Sequence, residues 1–433
     1  MKISVIGCGY LGAVHAAAMA QLGHDVVGID VDPVKIELLS SGRAPFFEPG
    51  LPEVLTSGID SGRLRFSTDL SAIAGSRVHF VAVGTPQTPG SNAADLTYID
   101  EAFSSIIPFL APGDVVVGKS TVPVGTAARL AEAVETAGAT LVWNPEFLRE
   151  GFAVQDTLTP DRLVYGLAQG DVTSQAVLDE VYATAVGAGT PKVVADFATA
   201  ELVKVAANAF LATKISFINA MAEVAEATGA DVTLLADAIG YDARIGRRFL
   251  NAGLGFGGGC LPKDIRGFMA RADELGLDQT LGFLAEVDQI NIRRRERMVD
   301  LASEVVGGDL DGKRIAVLGL AFKPNSDDVR DSPALDVALR LAELGATVVA
   351  TDPQAVESAR RRYPDLRYVS SAEEAVADAD AVLLLTEWAD YRSLDPETLG
   401  ALVGSRSIVD GRNCLVPADW RAAGWTYRAL GRP

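Results

Sequence analysis

The chain has 433 residues, which at roughly 150 residues per domain calls for about three units and excludes a single small core. Lys and Arg number 38 against 57 Asp and Glu, so the formal net charge of -19 repels a polyanion and argues against nucleic acid as a partner. Hydrophobic residues make up 48% and charged residues 22%, and no uninterrupted apolar run approaches the roughly 18 residues of a membrane span, so disordered and membrane classes are not expected.

Residues 2–6 form a β-rich run, 7–12 a glycine-punctuated turn and 13–22 a helix, followed by a strand at 25–30. Lys2 and Ala16-Ala17-Ala18-Met19-Ala20 imitate a secretory signal, but Gly7, Gly9, Gly12 and His15 interrupt the run at spacings a signal core does not need. Strands at 78–83, 115–119 and 141–143 continue the alternation, which predicts a doubly wound, Rossmann-like domain over 1–195. From Thr199 to about Thr228 one long Ala-rich helix is predicted, and a second helical tract runs from Pro262 to about Val306 with breaks near Gly276 and Gly282. These tracts and the glycine-dense loop 253–259 make a central helical domain, 196–306. Gly307-Gly308-Asp309 ends it, and strands at 314–319, 347–351, 381–385 and 407–409 predict a second Rossmann-like domain over 307–433, a distant structural echo of the first. The expected fold class is therefore α/β, two Rossmann-like domains joined by a central helical domain.

Gly7-Cys8-Gly9-Tyr10-Leu11-Gly12 follows a strand and opens a helix, so its glycines allow a tight turn, approach of a pyrophosphate to backbone N–H groups, and close helix packing. Asp30 ends the next strand, where a carboxylate accepts from both ribose hydroxyls and repels a 2′-phosphate, favouring NAD over NADP. A glycine turn of an unrelated α/β protein is the competing reading. Asp32 and Lys35 either cap the following helix or rim the adenosine.

Cys260 follows Gly255-Phe256-Gly257-Gly258-Gly259 and precedes Leu261-Pro262-Lys263-Asp264, which places a thiol at a helix start where the N-terminus and Lys263 favour thiolate. Asp264 is one turn further on and faces the same way. Cys8 and Cys414 lack that setting and read as bystanders. Three cysteines far apart in sequence form no disulfide framework and fit a reducing, cytoplasmic compartment. Lys204 and Asn208 are four apart on the long helix, suited to exchanging a proton with an alcohol or holding an oxyanion, although a solvated lysine on an amphipathic helix reads the same way. Asn144-Pro145-Glu146-Phe147-Leu148-Arg149-Glu150-Gly151 follows a strand, and its two carboxylates could position a water or act simply as helix-start acids.

Taken in order, the glycine turn with Asp30, the 144–151 segment, the Lys204 and Asn208 helix and the Gly-Phe-Gly-Gly-Gly-Cys-Leu-Pro-Lys-Asp loop resemble the UDP-glucose/GDP-mannose dehydrogenase family. The resemblance implies oxidation of a sugar-nucleotide primary alcohol to a carboxylate with two NAD, through a cysteine-bound thiohemiacetal and thioester. It casts Cys260 as nucleophile, Lys204 as the group assisting alcohol deprotonation, Asn208 as its partner at the oxyanion, Glu146 and Asp264 as handlers of the hydrolytic water, and Glu150 as a supporting carboxylate. Around NAD it adds Thr85, Thr121 (also a catalytic candidate), Lys263 and Arg330 to Gly7, Gly9, Tyr10, Leu11, Gly12, Asp30 and Lys35. For the substrate, UDP-glucose on the favoured branch, it implies Phe147, Leu148, Phe249, Leu250, Asn251, Phe256, Gly257, Phe322, Lys323 and Arg412, with Arg244 contributed across a homodimer built on the long helix. GDP-mannose or a UDP-N-acetylhexosamine remain alternative substrates. A two-electron β-hydroxyacid dehydrogenase or a non-catalytic NAD-dependent scaffold are alternatives of other classes. Two departures stand out: Gly259, where the family commonly has serine, is expected to loosen the loop, and Ala220 stands where Glu is common. The basic clusters Arg293-Arg294-Arg295 with Arg297, and Arg360-Arg361-Arg362, read as solvated helix faces or as charges that complement a helix dipole.

Overall fold

Short β-branched runs separated by helices collapse into two sheets. The computed structural model describes residues 1–432 and divides into two compact units, Met1–Ala207 with Ala270–Gly276, and a second made of Asn208–Met269 and the chain from Leu277 onward.

In the first unit the order is β1 (Lys2–Ile6), α1 (Tyr10–Gln21), β2 (Asp25–Ile29), α2 (Pro33–Ser40), α3 (Leu51–Asp60), β3 (Leu64–Ser67), β4 (Val78–Val81), α4 (Thr97–Ile106), β5 (Val115–Gly118), α5 (Thr126–Glu135), β6 (Thr140–Trp143), α6 (Ala153–Leu158), β7 (Leu163–Gly166), α7 (Val172–Val181), α8 (Ala183–Gly187) and β8 (Lys192–Ala195). The sheet order is β3-β2-β1-β4-β5-β6-β7-β8, parallel except where β6 meets β7 at Trp143 and Gly166. Strands β4 and β5 are buried at every residue because helices cover both faces. Ala13, Val14 and Ala17 of α1 pack on one face, and Ile99, Phe103 and Leu130 of α4 and α5 on the other. Asp32 caps α2 through Oδ1, accepting from the Val34 and Lys35 amides, with Pro33 in the first turn.

The long helix α9 (Phe197–Thr228) gives its first residues to the first unit and continues into the second. There follow α10 (Val232–Gly240), α11 (Leu261–Glu274), α12 (Phe283–Val305), β9 (Arg314–Leu318), α13 (Pro333–Glu343), β10 (Thr347–Thr351), β11 (Arg367–Tyr368), β12 (Ala381–Leu384), β13 (Ser407–Asp410) and β14 (Thr426–Ala429). In the second sheet, β11-β10-β9-β12-β13-β14, the strand order turns back at β9 as it does at β1 in the first, which is the structural echo expected from the sequence.

Three expectations are corrected. The sequence reading named nine strands and missed β3, β7, β8, β11 and β14; four of these five are the sheet edges, where one face is wet and the apolar signal thins. Helix α9 is long and apolar enough, by length and composition, to cross a membrane; single charges such as Lys204 and Lys214 had hidden this from a search for uninterrupted runs. Its Glu201 and Glu226 nevertheless bond within the chain, to the Gly125 and Ala127 amides and to Arg294 and Arg297. The first basic cluster is not a solvated face either: Arg294 is 1% exposed and pairs with Glu226, and Arg295 is buried against Asp331 and Asp336. Helix α12 packs on α13 and is tied to α9 by the Ser216 hydroxyl on the Val287 carbonyl, so two arginines in its periodicity fall inward and need acids. Arg360, Arg361 and Arg362 are exposed, as expected.

His15, His24 and His79 are all buried, and burial is the leading cause that pulls each below the ordinary 6.5. Both ring nitrogens of His15 lack a partner among the described residues. At His15 the unfolded chain takes up a proton below pH 6.5 and the folded chain does not, so that contribution to stability is complete above that pH and falls as the pH drops through it, by about 1.4 kcal/mol per pH unit. Urea unfolding at pH 7.5 and 5.5 is expected to show this loss, and His15→Met is expected to shrink it by about 1 kcal/mol.

Candidate functional site

The first unit carries the glycine turn at the point where its strand order reverses. A Cβ on Gly12 would lie 1.8 Å from the Gly7 carbonyl oxygen, so α1 can pack this closely on β1 only with glycine there. Nothing lies within 4 Å of a Cβ built on Gly9, which leaves room for a pyrophosphate, and the amides of Tyr10, Leu11 and Gly12 in the first turn of α1 have no intrahelical acceptor. Asp30 accepts from the Cys8 amide and from Lys35 Nζ at 2.8 Å through Oδ2, and from the Asp32 amide through Oδ1. A carboxylate has about four acceptor positions, so Asp30 keeps one for a ribose hydroxyl. Its counterpart at the end of the second strand of the other sheet, Asp352, accepts from the Leu320, Ala321, Gln354 and Ala355 amides and from Trp388 Nε1. That carboxylate is saturated, so only the first sheet retains the features that hold a dinucleotide. The thiol of Cys8, pushed up by burial and then by Asp30, is inert there.

Beyond β4 and β5, Thr85 Oγ1 donates to the Thr121 carbonyl at 2.8 Å, which brings these two predicted residues together at adjacent strand ends. Beyond β6 the chain turns through Asn144 and Glu146. Glu146 Oε1 accepts the amides of Phe147 and Leu148, and Oε2 lies 3.2 Å from Lys119 Nζ. Phe147 is stacked by Arg162, 3.8 Å from the ring centroid, and faced by Lys204 Nζ at 5.6 Å. Glu150 is buried beside Gly151, and Leu148 packs against the core.

Two residues that organise this region went unread in the sequence. Glu48, buried, accepts from the amides of Gly151 and Ala153 and from the Tyr10 hydroxyl, tying α1 to the 144–151 segment. Burial and this bond push the Tyr10 hydroxyl far up. Its only signal was an acid among apolar and turn residues in Phe46-Phe47-Glu48-Pro49-Gly50. The second is Lys119, at the end of the strand expected over 115–119, whose position in the sequence carries no signal of its partners.

In the second unit Cys260 is exposed and stands immediately before α11, its carbonyl accepting the Asp264 amide. Asp264 is buried; its Oδ2 accepts from Asn208 Nδ2 at 2.6 Å and its Oδ1 from Lys263 Nζ at 2.6 Å. Asn208, Lys263 and Asp264 therefore form one cluster at the helix start that bears the thiol. Cys414, by contrast, is pushed up by burial and the nearby Asp410.

The preceding loop is pinned from three sides. Asn219 accepts the Gly253 amide, Asn291 accepts the Phe256 amide and donates to its carbonyl, and Arg412 donates to the Gly255 and Phe322 carbonyls. Arg412 also bonds the Leu385 carbonyl and Glu387, so its guanidinium acts mainly on its own chain. Leu250 is buried, Asn251 accepts from Arg247, and Phe249 takes φ 65°. Lys323 Nζ lies 5.3 Å from the ring of Phe322. Arg330 forks onto Asp328, and its Cζ stands 2.4 Å from where a Gly259 Cβ would be. The space vacated at Gly259 is thus filled, which corrects the expectation of a loosened loop. Arg244 is 89% exposed and paired with Asp242, and the structure brings it to none of the other candidates in its unit.

Comparison with known proteins matches the NAD binding domain profile of the UDP-glucose/GDP-mannose dehydrogenase family to residues 1–186, its central domain to 198–293 and its UDP binding domain to 316–417. The chain is 42% identical to the UDP-glucose 6-dehydrogenase of Rhizobium meliloti (strain 1021), with both chains covered in full. It superposes with a TM-score of 0.89 and 40% identity on a UDP-glucose dehydrogenase from Pyrobaculum islandicum, covering 100% of this chain and 98% of that one. A UDP-D-ManNAc dehydrogenase from Pyrococcus horikoshii gives a TM-score of 0.86 at 27% identity, covering 100% and 99%.

A Cβ on Gly257 would meet the Asp331 carbonyl oxygen at 2.2 Å, whereas one on Gly259 meets only the far end of a flexible side chain. Gly257→Ala is therefore expected to cost about 2 kcal/mol or more in urea unfolding, and Gly259→Ala under about 1 kcal/mol.

Proposed function

The chain belongs to the UDP-glucose/GDP-mannose dehydrogenase family, and from that premise we propose that it oxidises the primary alcohol of UDP-glucose to the carboxylate of UDP-glucuronate, as a homodimer in the cytoplasm. The observation that carries the reading is the exposed Cys260 thiol at the start of α11, next to the cluster of Asn208, Lys263 and Asp264. The choice of UDP-glucose within the family is supported by 42% and 40% identity to UDP-glucose enzymes against 27% to one acting on UDP-D-ManNAc.

Bound NAD supplies a two-electron acceptor, one molecule for each of the two oxidations. The glycine turn with Asp30 and Lys35 would hold its adenosine and pyrophosphate, Thr85 and Thr121 would line it from the same unit, and Lys263 and Arg330 are the further contacts that the family reading implies. Lys204, whose Nζ has no hydrogen bond among the described residues and faces the Phe147 ring, takes the alcohol proton as the neutral amine and then, as the ammonium, steadies the oxygen with Asn208. Loss of the first hydride from the carbinol carbon leaves the aldehyde; Cys260 Sγ adds to its carbon, forming a C–S bond as the C=O π bond opens, while the oxygen takes up a proton. Loss of hydride from that carbon and of the hydroxyl proton leaves a thioester. Glu146 and Asp264 direct a water onto the thioester carbon; the C–S bond breaks, the thiolate returns and the carboxylate departs. One alcohol and one water thus yield one carboxylate, two hydrides and three protons. The sugar and nucleotide are held by Phe147, Leu148 and Glu150, by Phe249, Leu250, Asn251, Phe256 and Gly257, and by Phe322, Lys323 and Arg412.

The dimer is supported by α9, on which Phe210, Phe217 and Val224 recur at every seventh residue and are 67%, 48% and 53% exposed in the single chain. Arg244 would then act on the partner's substrate, which accounts for its freedom from its own unit's site.

Pure protein supplied with a panel of nucleotide sugars is expected to form two NADH per UDP-glucose and little with the others. Cys260→Ser is expected to stop acid release or to trap an ester on the serine; full turnover with two NADH per substrate in that variant would sink the cysteine mechanism. Sedimentation is expected to give twice the 45.4 kDa chain mass, and Phe217→Glu is expected to shift it towards the monomer.

A further inference from the structure

Lys119, immediately beyond β5, is 4% exposed. Removing an ammonium from water costs several kcal/mol unless it is paired, so its partners define its purpose. Nζ lies 3.2 Å from Glu146 Oε2 and donates to Asn144 Oδ1 at 3.0 Å, with the Asn144 carbonyl and the Tyr182 hydroxyl each at 3.4 Å. The Tyr182 hydroxyl itself donates to Asn144 Oδ1, and Asn144 Nδ2 to the Val164 carbonyl, so the turn beyond β6 is fixed at both ends of that side chain. The rings of Phe80 and Tyr182 flank the ammonium at 5.8 and 5.9 Å. His15, beside it, is held neutral by burial and by this cation. Glu146 is therefore the anion that balances Lys119.

An ammonium has three donors and all are engaged, so Lys119 has none left for a substrate. Glu146 is equally constrained. Two of its acceptor positions, on Oε1, take the Phe147 and Leu148 amides and one on Oε2 takes Lys119. With about four in total, a single position remains, on Oε2.

We propose that Lys119 is a positioning residue that aims the one remaining acceptor of Glu146 at the hydrolytic water, so that it governs thioester hydrolysis without touching the substrate. The proposal rests on the reading of Glu146 given above. Removing the cation frees the carboxylate to turn about its two amide bonds, and a misplacement of about 1 Å costs on the order of 100-fold in rate.

The test uses the full-length enzyme with UDP-glucose and NAD, and compares Lys119→Met, Lys119→Gln, Glu146→Gln and the double variant Lys119→Met/Glu146→Gln. Should the methionine variant fail to fold, the glutamine variant removes the charge while keeping a donor. Expected are a fall in kcat of about 100-fold with KM for both substrates changed less than about threefold. Intact-protein mass measurement at steady state should show the UDP-glucuronyl thioester on Cys260 in each single variant, and the double variant should be no slower than Glu146→Gln alone. Adduct in Glu146→Gln but in neither Lys119 variant overturns the proposal and leaves the role of Glu146 standing, as does a double variant slowed by the product of the two single effects. Adduct in none of the variants overturns the role of Glu146 itself and the proposal with it.

Discussion

A buried stretch of irregular backbone must find a partner for every N–H and C=O that it takes out of water, and residues 252–258 are such a stretch. With no helix or strand to supply those partners, they come from side chains far away in sequence: Asn219 on α9, Asn291 on α12 and Arg412 beyond β13. Backbone groups of Gly411 and Arg330 accept the Leu254 and Gly258 amides, and Asn413 and Arg295 donate to the Ala252 and Phe256 carbonyls. The position of Cys260 follows from these bonds. So does the density of glycine before it, since Phe322, Asp331 and Arg330 approach the loop backbone where Cβ atoms would otherwise stand.

Electrostatics in this acidic chain are local rather than global. The cations among the candidate ligand contacts are largely engaged: Lys263 with Asp264, Arg330 with Asp328, Arg244 with Asp242, and Arg412 with Glu387 and three carbonyls. Any attraction for pyrophosphate near these groups rests on a few oriented donors and not on excess positive charge. Arg266, Arg295, Asp288, Asp331 and Asp336 form a further partly buried network that joins α11, α12 and the start of α13, where lost partners would leave charges without water.

Much of this architecture was legible. Glycine spacing, an acid at the second strand end and a cysteine in a glycine loop before Pro-Lys-Asp each have a local physical reason, and each stands where the sequence placed it. What escaped were groups whose meaning depends on the other end of a long-range bond. Glu48 and Asn291 have no periodic or motif signal because their partners, Gly151 and Phe256, are about 100 and 35 residues away. Arg294 looked solvated because charge is usually outside, and only the packing of α12 turns it inward.

By itself the sequence determined the alternation of strands and helices, the glycine turn between β1 and α1, the placement of Cys260 before α11 and the length of α9, because each is set by contacts within a few residues or by side-chain period. Tertiary structure alone decided that Asp30 keeps a free acceptor while Asp352 does not, that Gly259 makes room for Arg330, and that Lys119 answers Glu146. Each of these depends on how many hydrogen-bonding positions remain once distant segments have closed around a group, a count that no local pattern contains.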